Sequence, residues 1–306
     1  MNAKINEISK VSNNLYLITL NPPIPGFNNF IGVWLYKGKT TFIVDVGPSA
    51  TVDGLLKSLQ DLKVQHLDFI LLTHIHIDHA GGIGDITACF PKTPVICHKA
   101  GIDHLIDPSR LWEGAIMALG KTAEAYGEIK AVPFDRLVEA NNFESNTVIP
   151  ISTPGHSLHH ISYQTPEYLF AGEAGGVYLS LPFRLEYLRP ATPHRFFLDI
   201  SIKSLDAMIM KKPNKICYGH FGIKDDAVKM LEIHRKQLLL WEEVISDEMK
   251  KSNGEKLLAA CMKSLFKEDP LLAGFFQMDE ATKERERGFL SNSIKGFVGY
   301  LKTVDD

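Results

Sequence analysis

A chain of 306 residues, 45% hydrophobic and 23% charged, is long enough for a large core or two domains, and disorder is not expected. Its 33 Lys and Arg against 36 Asp and Glu leave a net charge of −3, so there is no overall basic field to hold nucleic acid. Four scattered cysteines, Cys89, Cys97, Cys217 and Cys261, form no Cys-x-x-Cys pair and read as buried thiols. With a polar stretch from Met1 to Lys10 and no apolar run of membrane length, the expected setting is cytoplasmic and reduced, with no membrane partner.

Asn14 to Leu20 alternates like an opening strand, and a Pro-rich turn at Pro22, Pro23 and Pro25 stops it. Phe30–Tyr36 and Thr41–Val46 read as a hairpin around Lys37-Gly38-Lys39, with Asp45 where the second strand ends. Ala50–Leu62 has Val52, Leu55, Leu56 and Leu59 at helical spacing, a crossover into a short buried strand at Phe69–Leu72 and hence a βαβ unit. Directly after that strand stand His74, His76, Asp78 and His79, followed by Gly81-Gly82. Two histidines two apart on extended chain point the same way, and Asp78 and His79 beyond the bend reach a neighbouring position. One turn thus offers four ligands and can serve two metal ions.

A short helix to Phe90-Pro91 and a strand at Pro94–Cys97 follow, and residues 99–146 read as a less regular inserted wall with a helical stretch from Glu113 to Tyr126. His98, His104 and Arg110 are available there as substrate contacts, and Arg110 is the candidate retained. Val148–Ser152 delivers Thr153-Pro154-Gly155-His156, a tight loop able to hold the His156 imidazole as a further ligand, whereas His159 and His160 are left outside the ligand set. After a hairpin of Ile161–Gln164 and Glu167–Ala171, Glu173 sits among Gly172, Ala174, Gly175 and Gly176, small neighbours that let a carboxylate approach closely. Leu181–Pro193 reads as irregular, with Arg184 and Arg189 either lining a pocket or simply solvated. Phe196–Met210 is a helix, and Lys215–Tyr218 is a strand that presents His220. Beyond Lys224 only helices are expected, Asp225–Lys251, Glu255–Phe266 and Asp279–Leu301.

His74-Ile75-His76-Ile77-Asp78-His79 resembles the His-x-His-x-Asp-His signature of the metallo-β-lactamase-fold hydrolases. Thr40–Gly47 looks like that family's early strand ending in Asp-x-Gly, Thr153–Ser157 like its third-histidine motif, and Tyr218–Gly222 like its last landmark. The layout, including Leu188–Pro193, is similar to a branch near the glyoxalase II-like proteins, with one departure: Glu173 stands where most members carry a metal-bridging aspartate. The resemblance implies an α/β fold, a four-layer αββα sandwich over residues 1–222, extended by a helical segment at 223–306 that either covers substrate or forms a homo-oligomer contact. It implies that Asp45 braces the metal loop by hydrogen bonds. It assigns His74, His76 and His156 to one ion and Asp78, His79 and His220 to the other, with Glu173 shared and Asp78 also taken as catalytic. Nitrogen-rich shells suit two zinc ions, with iron or manganese also accepted. Water shared between two ions becomes hydroxide near neutral pH, which implies hydrolysis of an ester, thioester, lactone or similar bond in a small substrate. The alternative is a mononuclear iron oxidoreductase resembling the persulfide dioxygenases.

Overall fold

The structure, a computed structural model, describes residues 7–181 and 186–305, so Arg184 and residues 1–6 of the polar N-terminal stretch lie outside the described residues. The chain divides into two compact units. One runs to Pro150 and takes in Ile161–Pro166, and the other comprises Ile151–His160 and the residues from Glu167 onward.

The first unit is built on seven strands in sequence order: β1 (Glu7–Lys10), β2 (Leu15–Leu20), β3 (Ile31–Lys37), β4 (Thr41–Val44), β5 (Phe69–Leu71), β6 (Val95–Cys97) and β7 (Leu137–Glu139). β1 to β4 run antiparallel as a meander, and β4 to β7 are parallel neighbours. The switch follows from the connections. Lys37-Gly38-Lys39 is a tight turn, whereas α1 (Val52–Asp61) is long enough to carry the chain back for a parallel return. The apolar spacing of α1 puts Val52, Leu55 and Leu59 in the core, as expected from the sequence. Then follow α2 (Ile77–Ala80), α3 (Ile83–Cys89), α4 (Lys99–Ile106), α5 (Ser109–Leu119) and α6 (Lys121–Tyr126). The single helical stretch expected over Glu113–Tyr126 is two helices broken at Gly120, whose φ of 53° does not continue a helix. Short β1 and β7 went unrecognised because Glu7–Lys10 and Leu137–Glu139 are half-exposed strands with no fully buried face. Cys97, Cys217 and Cys261 are buried free thiols, but Cys89 is exposed.

The remaining strands are β8 (Ile149–Ser152), β9 (Ile161–Gln164), β10 (Tyr168–Gly172), β11 (Val177–Ser180), β12 (Glu186–Arg189), β13 (Lys215–Tyr218) and β14 (Ile223–Asp225). In the second unit β10 runs parallel to β13, and β14 is antiparallel to β13. β11 and β12 form a separate antiparallel ribbon, and β12 falls within the Leu181–Pro193 stretch expected to be irregular. The helices of the same unit are α7 (Leu198–Met210), α8 (Ala227–Met249), α9 (Gly254–Glu268) and α10 (Glu280–Asp305), and α8 packs on β12, as does a 3₁₀ segment at Pro270–Gln277. No helix among the described residues is long and apolar enough to cross a membrane.

Residues 223–306 therefore share a core with the chain before them. Phe196 packs on Phe297 with ring centroids 4.7 Å apart, and Trp241 lies 5.9 Å from the same ring. Arg189, read from sequence as a pocket-lining or solvated cation, is neither. It is 2% exposed and donates from Nε to Glu286 Oε2 at 2.6 Å, while Arg285 Nε donates to the other oxygen at 2.9 Å. Burial alone pushes the Glu286 carboxyl up, but the two guanidiniums outweigh it and hold it below its ordinary value. Removing the acid would leave two buried cations facing each other, so Glu286→Gln should destabilise the chain by about 3–5 kcal/mol in urea unfolding. A change within 0.5 kcal/mol would show that the triad contributes nothing to the joint core.

Candidate metal centre

The turn after β5 is fixed by a buried carboxylate. Asp45, at the end of β4, adopts φ 60°, a left-handed conformation that aspartate tolerates better than most residues. Its Oδ1 accepts from Thr73 N at 2.8 Å, and its Oδ2 accepts from Thr73 Oγ1 at 2.8 Å and from His79 Nδ1 at 2.8 Å. The Thr73 hydroxyl has one proton, which goes to Asp45, so its oxygen accepts from His74 Nδ1 at 3.0 Å. Both imidazoles therefore carry their proton on Nδ1 and present Nε2 as the coordinating nitrogen. Asp45 is thus the brace that the resemblance implies.

His76 opens α2, with its ring centroid 4.5 Å from that of His74, and the His74 and His79 rings are 4.2 Å apart. Asp78 Oδ2 lies 3.9 Å from His79 Nε2. The packing permits no side chain at the glycine pair: a Cβ on Gly81 would come within 2.2 Å of Ile77 O, and one on Gly82 within 2.6 Å of Val52 Cγ2. The four predicted residues of this turn are thus brought together in the first unit. Arg110 is exposed on α5, and His98 accepts from Ala100 N at 3.1 Å as the N-cap of α4, a structural task in place of the substrate contact considered for it.

The second unit gathers His156, Glu173 and His220. Glu173 Oε2 is 2.8 Å from His156 Nε2, and Oε1 is 3.1 Å from His220 Nε2, so the two carboxylate oxygens face different imidazoles. Burial pushes the Glu173 carboxyl up, but His156 and His220 outweigh this and hold it well below its ordinary value. His156 Nδ1 donates to Ala191 O at 3.0 Å, which again leaves Nε2 as the nitrogen that could coordinate a metal. The Thr153–His156 loop rests on α7, where Ser204 Oγ donates to Pro154 O at 2.5 Å and a Cβ on Gly155 would meet Ser201 Oγ at 2.4 Å.

The strand end that carries Glu173 packs closely on a neighbouring backbone. Gly219 N donates to Gly172 O at 3.2 Å, and a Cβ on Gly219 would lie 2.9 Å from the Gly172 backbone. The register of β10 on β13 shifts between Phe170 and Gly172, a bulge that re-aims the residue that follows. His160, set aside from the ligands, is fully buried: its Nε2 accepts from Glu173 N at 3.1 Å, and its Nδ1 donates to Thr153 Oγ1 at 2.9 Å. It ties the His156 loop to the Glu173 turn. That role has no sequence signature beyond a histidine four residues after a ligand.

Donor chemistry fits the implied metals. Imidazole Nε2 atoms with Nδ1 already engaged, together with carboxylates, are the ligand types of zinc and of other divalent transition ions, and the structure carries candidate metal-binding groups of this composition. If Asp45 orients His79, Asp45→Asn, which turns an amide N–H toward His79 Nδ1, should weaken metal affinity by about 10- to 100-fold in chelator competition. Unchanged affinity would show that the brace is dispensable.

Residues 26–220 match the family model of the metallo-β-lactamase superfamily. The metallo-β-lactamase fold-containing protein ST1585 of Sulfurisphaera tokodaii is 29% identical over 217 residues, covering 67% of this chain and 77% of that protein. A hydroxyacylglutathione hydrolase of Yersinia enterocolitica is 32% identical over 152 residues, and the match spans about half of each chain, 49%. In structure, ST1585 from Sulfolobus tokodaii superposes with a TM-score of 0.67 at 23% identity, covering 94% of this chain and 99% of that one. The Thermus thermophilus protein TTHA1429 gives 0.64 at 19% identity, covering 97% and 95%. Sequence landmarks, mixed sheets and the family match agree, and the chain belongs to the metallo-β-lactamase superfamily, with its α/β fold and a C-terminal helical region.

Proposed function

We propose that the protein is a dinuclear metal-dependent hydrolase acting on an ester, thioester, lactone or similar bond of a small substrate. His74, His76 and His156 would hold one ion, and Asp78, His79 and His220 would hold the other, with Glu173, grouped with the first set and beside His220, shared between them. The observation that carries this reading is the split of its carboxylate, one oxygen 2.8 Å from His156 and the other 3.1 Å from His220. One oxygen toward each of the two histidine sets is the arrangement that a shared carboxylate would use. Zinc is the proposed metal, because five of the seven donors are imidazole nitrogens.

Bound metals supply a Lewis acid for the substrate oxygen and a water acidic enough to attack at neutral pH. The protein's own residues do the rest. Asp45 and Thr73 fix the tautomers of His79 and His74, Ala191 O fixes that of His156, and Asp78 would hold a proton of the attacking water. No serine or cysteine nucleophile is called on. Arg110, exposed on α5, is available to an anionic tail of the substrate. Kinship with hydroxyacylglutathione hydrolases over about half their length favours an acyl substrate.

Purified protein should contain close to two transition-metal equivalents by elemental analysis, His220→Ala should lose chiefly one, and a panel of acyl esters, thioesters and lactones should reveal turnover. One iron per chain with persulfide oxidation would replace this reading. Glu173→Ala should lower metal affinity by at least about 10- to 100-fold, the range expected even of a supporting partner. Glu173→Asp should also bind less well than wild type, since the strand end is shaped around the longer arm. Two metals bound by Glu173→Ala with unchanged affinity would remove Glu173 from the ligand set.

A further inference from the structure

Next to His156 and Glu173 the second unit has a pocket walled by Phe196, Leu238 and Ala191, and one more histidine lines it, His234 of α8. The residue is 3% exposed and occupies the buried stripe of the helix with Leu231, Leu238, Trp241 and Ile245. Gly176 makes room for it, since a Cβ there would stand 2.9 Å from His234 Cε1.

A chain of hydrogen bonds fixes which ring nitrogen carries the proton. Trp241 Nε1, which can only donate, gives its proton to Asp269 Oδ2 at 2.7 Å, and Leu271 N donates to Oδ1 at 3.0 Å. Gln237 Nε2 donates to the same Asp269 Oδ2 at 2.8 Å and to Leu188 O at 2.7 Å. Two acceptors on one side settle the orientation of the amide, so Gln237 Oε1 must face His234 Nδ1, 3.0 Å away. Nδ1 is therefore the protonated nitrogen, and Nε2 is left with a lone pair. Burial pushes the imidazole down to about 4, with Gln237 opposing only in part, so the ring stays neutral at working pH. The pocket's hydroxyls have their protons placed elsewhere, Thr192 Oγ1 to Ser293 O at 3.1 Å and Ser201 Oγ to Phe197 O at 3.2 Å.

We propose that His234 is a specificity-determining residue of the proposed centre: its Nε2 accepts a hydrogen bond from an uncharged donor, a hydroxyl or an amide N–H, carried on the acyl part of the substrate. This rests on the hydrolase reading for the word substrate, but the pocket and the tautomer stand without it. A carboxylate or other acceptor at the same place would meet the lone pair and be disfavoured, and an alkyl group would leave the nitrogen desolvated and unpaired. Buried groups left without a partner are what let a polar site discriminate between nearly identical ligands.

Two measurements on the full-length, zinc-loaded chain test the proposal. Long-range ¹H–¹⁵N spectra of histidine-labelled protein should show His234 protonated on Nδ1 alone between pH 6 and 8, with His234→Gln providing the assignment; protonation on Nε2 overturns the proposal. Calorimetric titration with propionate, lactate, 3-hydroxypropionate and N-formylglycine compares an acid without a donor with acids that carry a hydroxyl or an amide. At least one donor-bearing acid should bind about tenfold tighter than propionate, a net gain of about 1.4 kcal/mol. In His234→Phe the ratio should collapse to about one, and His234→Gln, which keeps an acceptor on a side chain of similar reach, should restore part of it. Should the phenylalanine variant fail to fold, Gln237→Leu, which releases the tautomer, should shrink the ratio. Equal affinities in wild type, or a preference that survives in His234→Phe, overturn the proposal. Hydrolysis of the panel without any donor preference counts against His234 alone, and donor preference without hydrolysis leaves His234 in place while removing the hydrolase reading.

Discussion

Two carboxylates that have left water, Asp45 and Glu173, help set where His74, His79, His156 and His220 point. An ionised acid is costly to bury unless each oxygen finds a donor or a cation, so each of these residues commits its neighbours to a geometry. Asp45 takes a backbone N–H, a threonine hydroxyl and an imidazole, and through them orients His74 and His79. Glu173 takes two imidazoles and has its own backbone N–H tied down by His160. Their environments differ in kind: Asp45 is satisfied by protein donors, and Glu173 faces imidazole nitrogens that are themselves candidate ligand atoms. The first is thereby a brace, and the second is poised to meet metal.

Much of this was legible in the sequence. The meander, the βαβ unit and the ligand turn follow from alternation, one helical period and four ligand-type residues between a strand and a glycine pair, all signals confined to a few adjacent positions. Glu173 among small residues was legible for the same reason. What escaped is long-range. Strand β12 falls in a stretch that reads as irregular because the strand packs on a 3₁₀ segment far along the chain, and Arg189 looks like any arginine until Glu286, 97 residues later, is placed beside it. His160 and His234 escaped too, each fixed by partners that only folding brings near. The one local hint for His234 was a histidine on the apolar stripe of α8, where a polar residue needs a reason to be.

The C-terminal helices carry more than apolar stripes. Gln237, Trp241 and Asp269 form a polar network in a low-dielectric interior, where a satisfied group rigidifies its surroundings and an unsatisfied one is expensive. Burial raises the Asp269 carboxyl, with Trp241 and Gln237 opposing it, so the network keeps an acid in a place that apolar packing would not ask for. Its far end is the imidazole at the pocket wall. A helical segment that merely thickened the core would not need a chain of hydrogen bonds running to the edge of the candidate site.

The longer arm at position 173 fits the same logic. A glutamate places its carboxylate one methylene farther from the backbone than an aspartate, so the main chain must sit farther from the point where the oxygens are needed. The strand end provides that distance: β10 slips register between Phe170 and Gly172, Gly172 adopts φ 55°, and Gly219 allows the two backbones to within contact, so the turn that carries Glu173 is set back against β13. None of these adjustments is open to a residue with a side chain, because a Cβ on Gly219 would overlap the Gly172 backbone. Glutamate and glycines are therefore one device. A side chain at Gly219 would push against the Gly172 backbone, and an aspartate at 173 would reach one methylene less far from the same main chain.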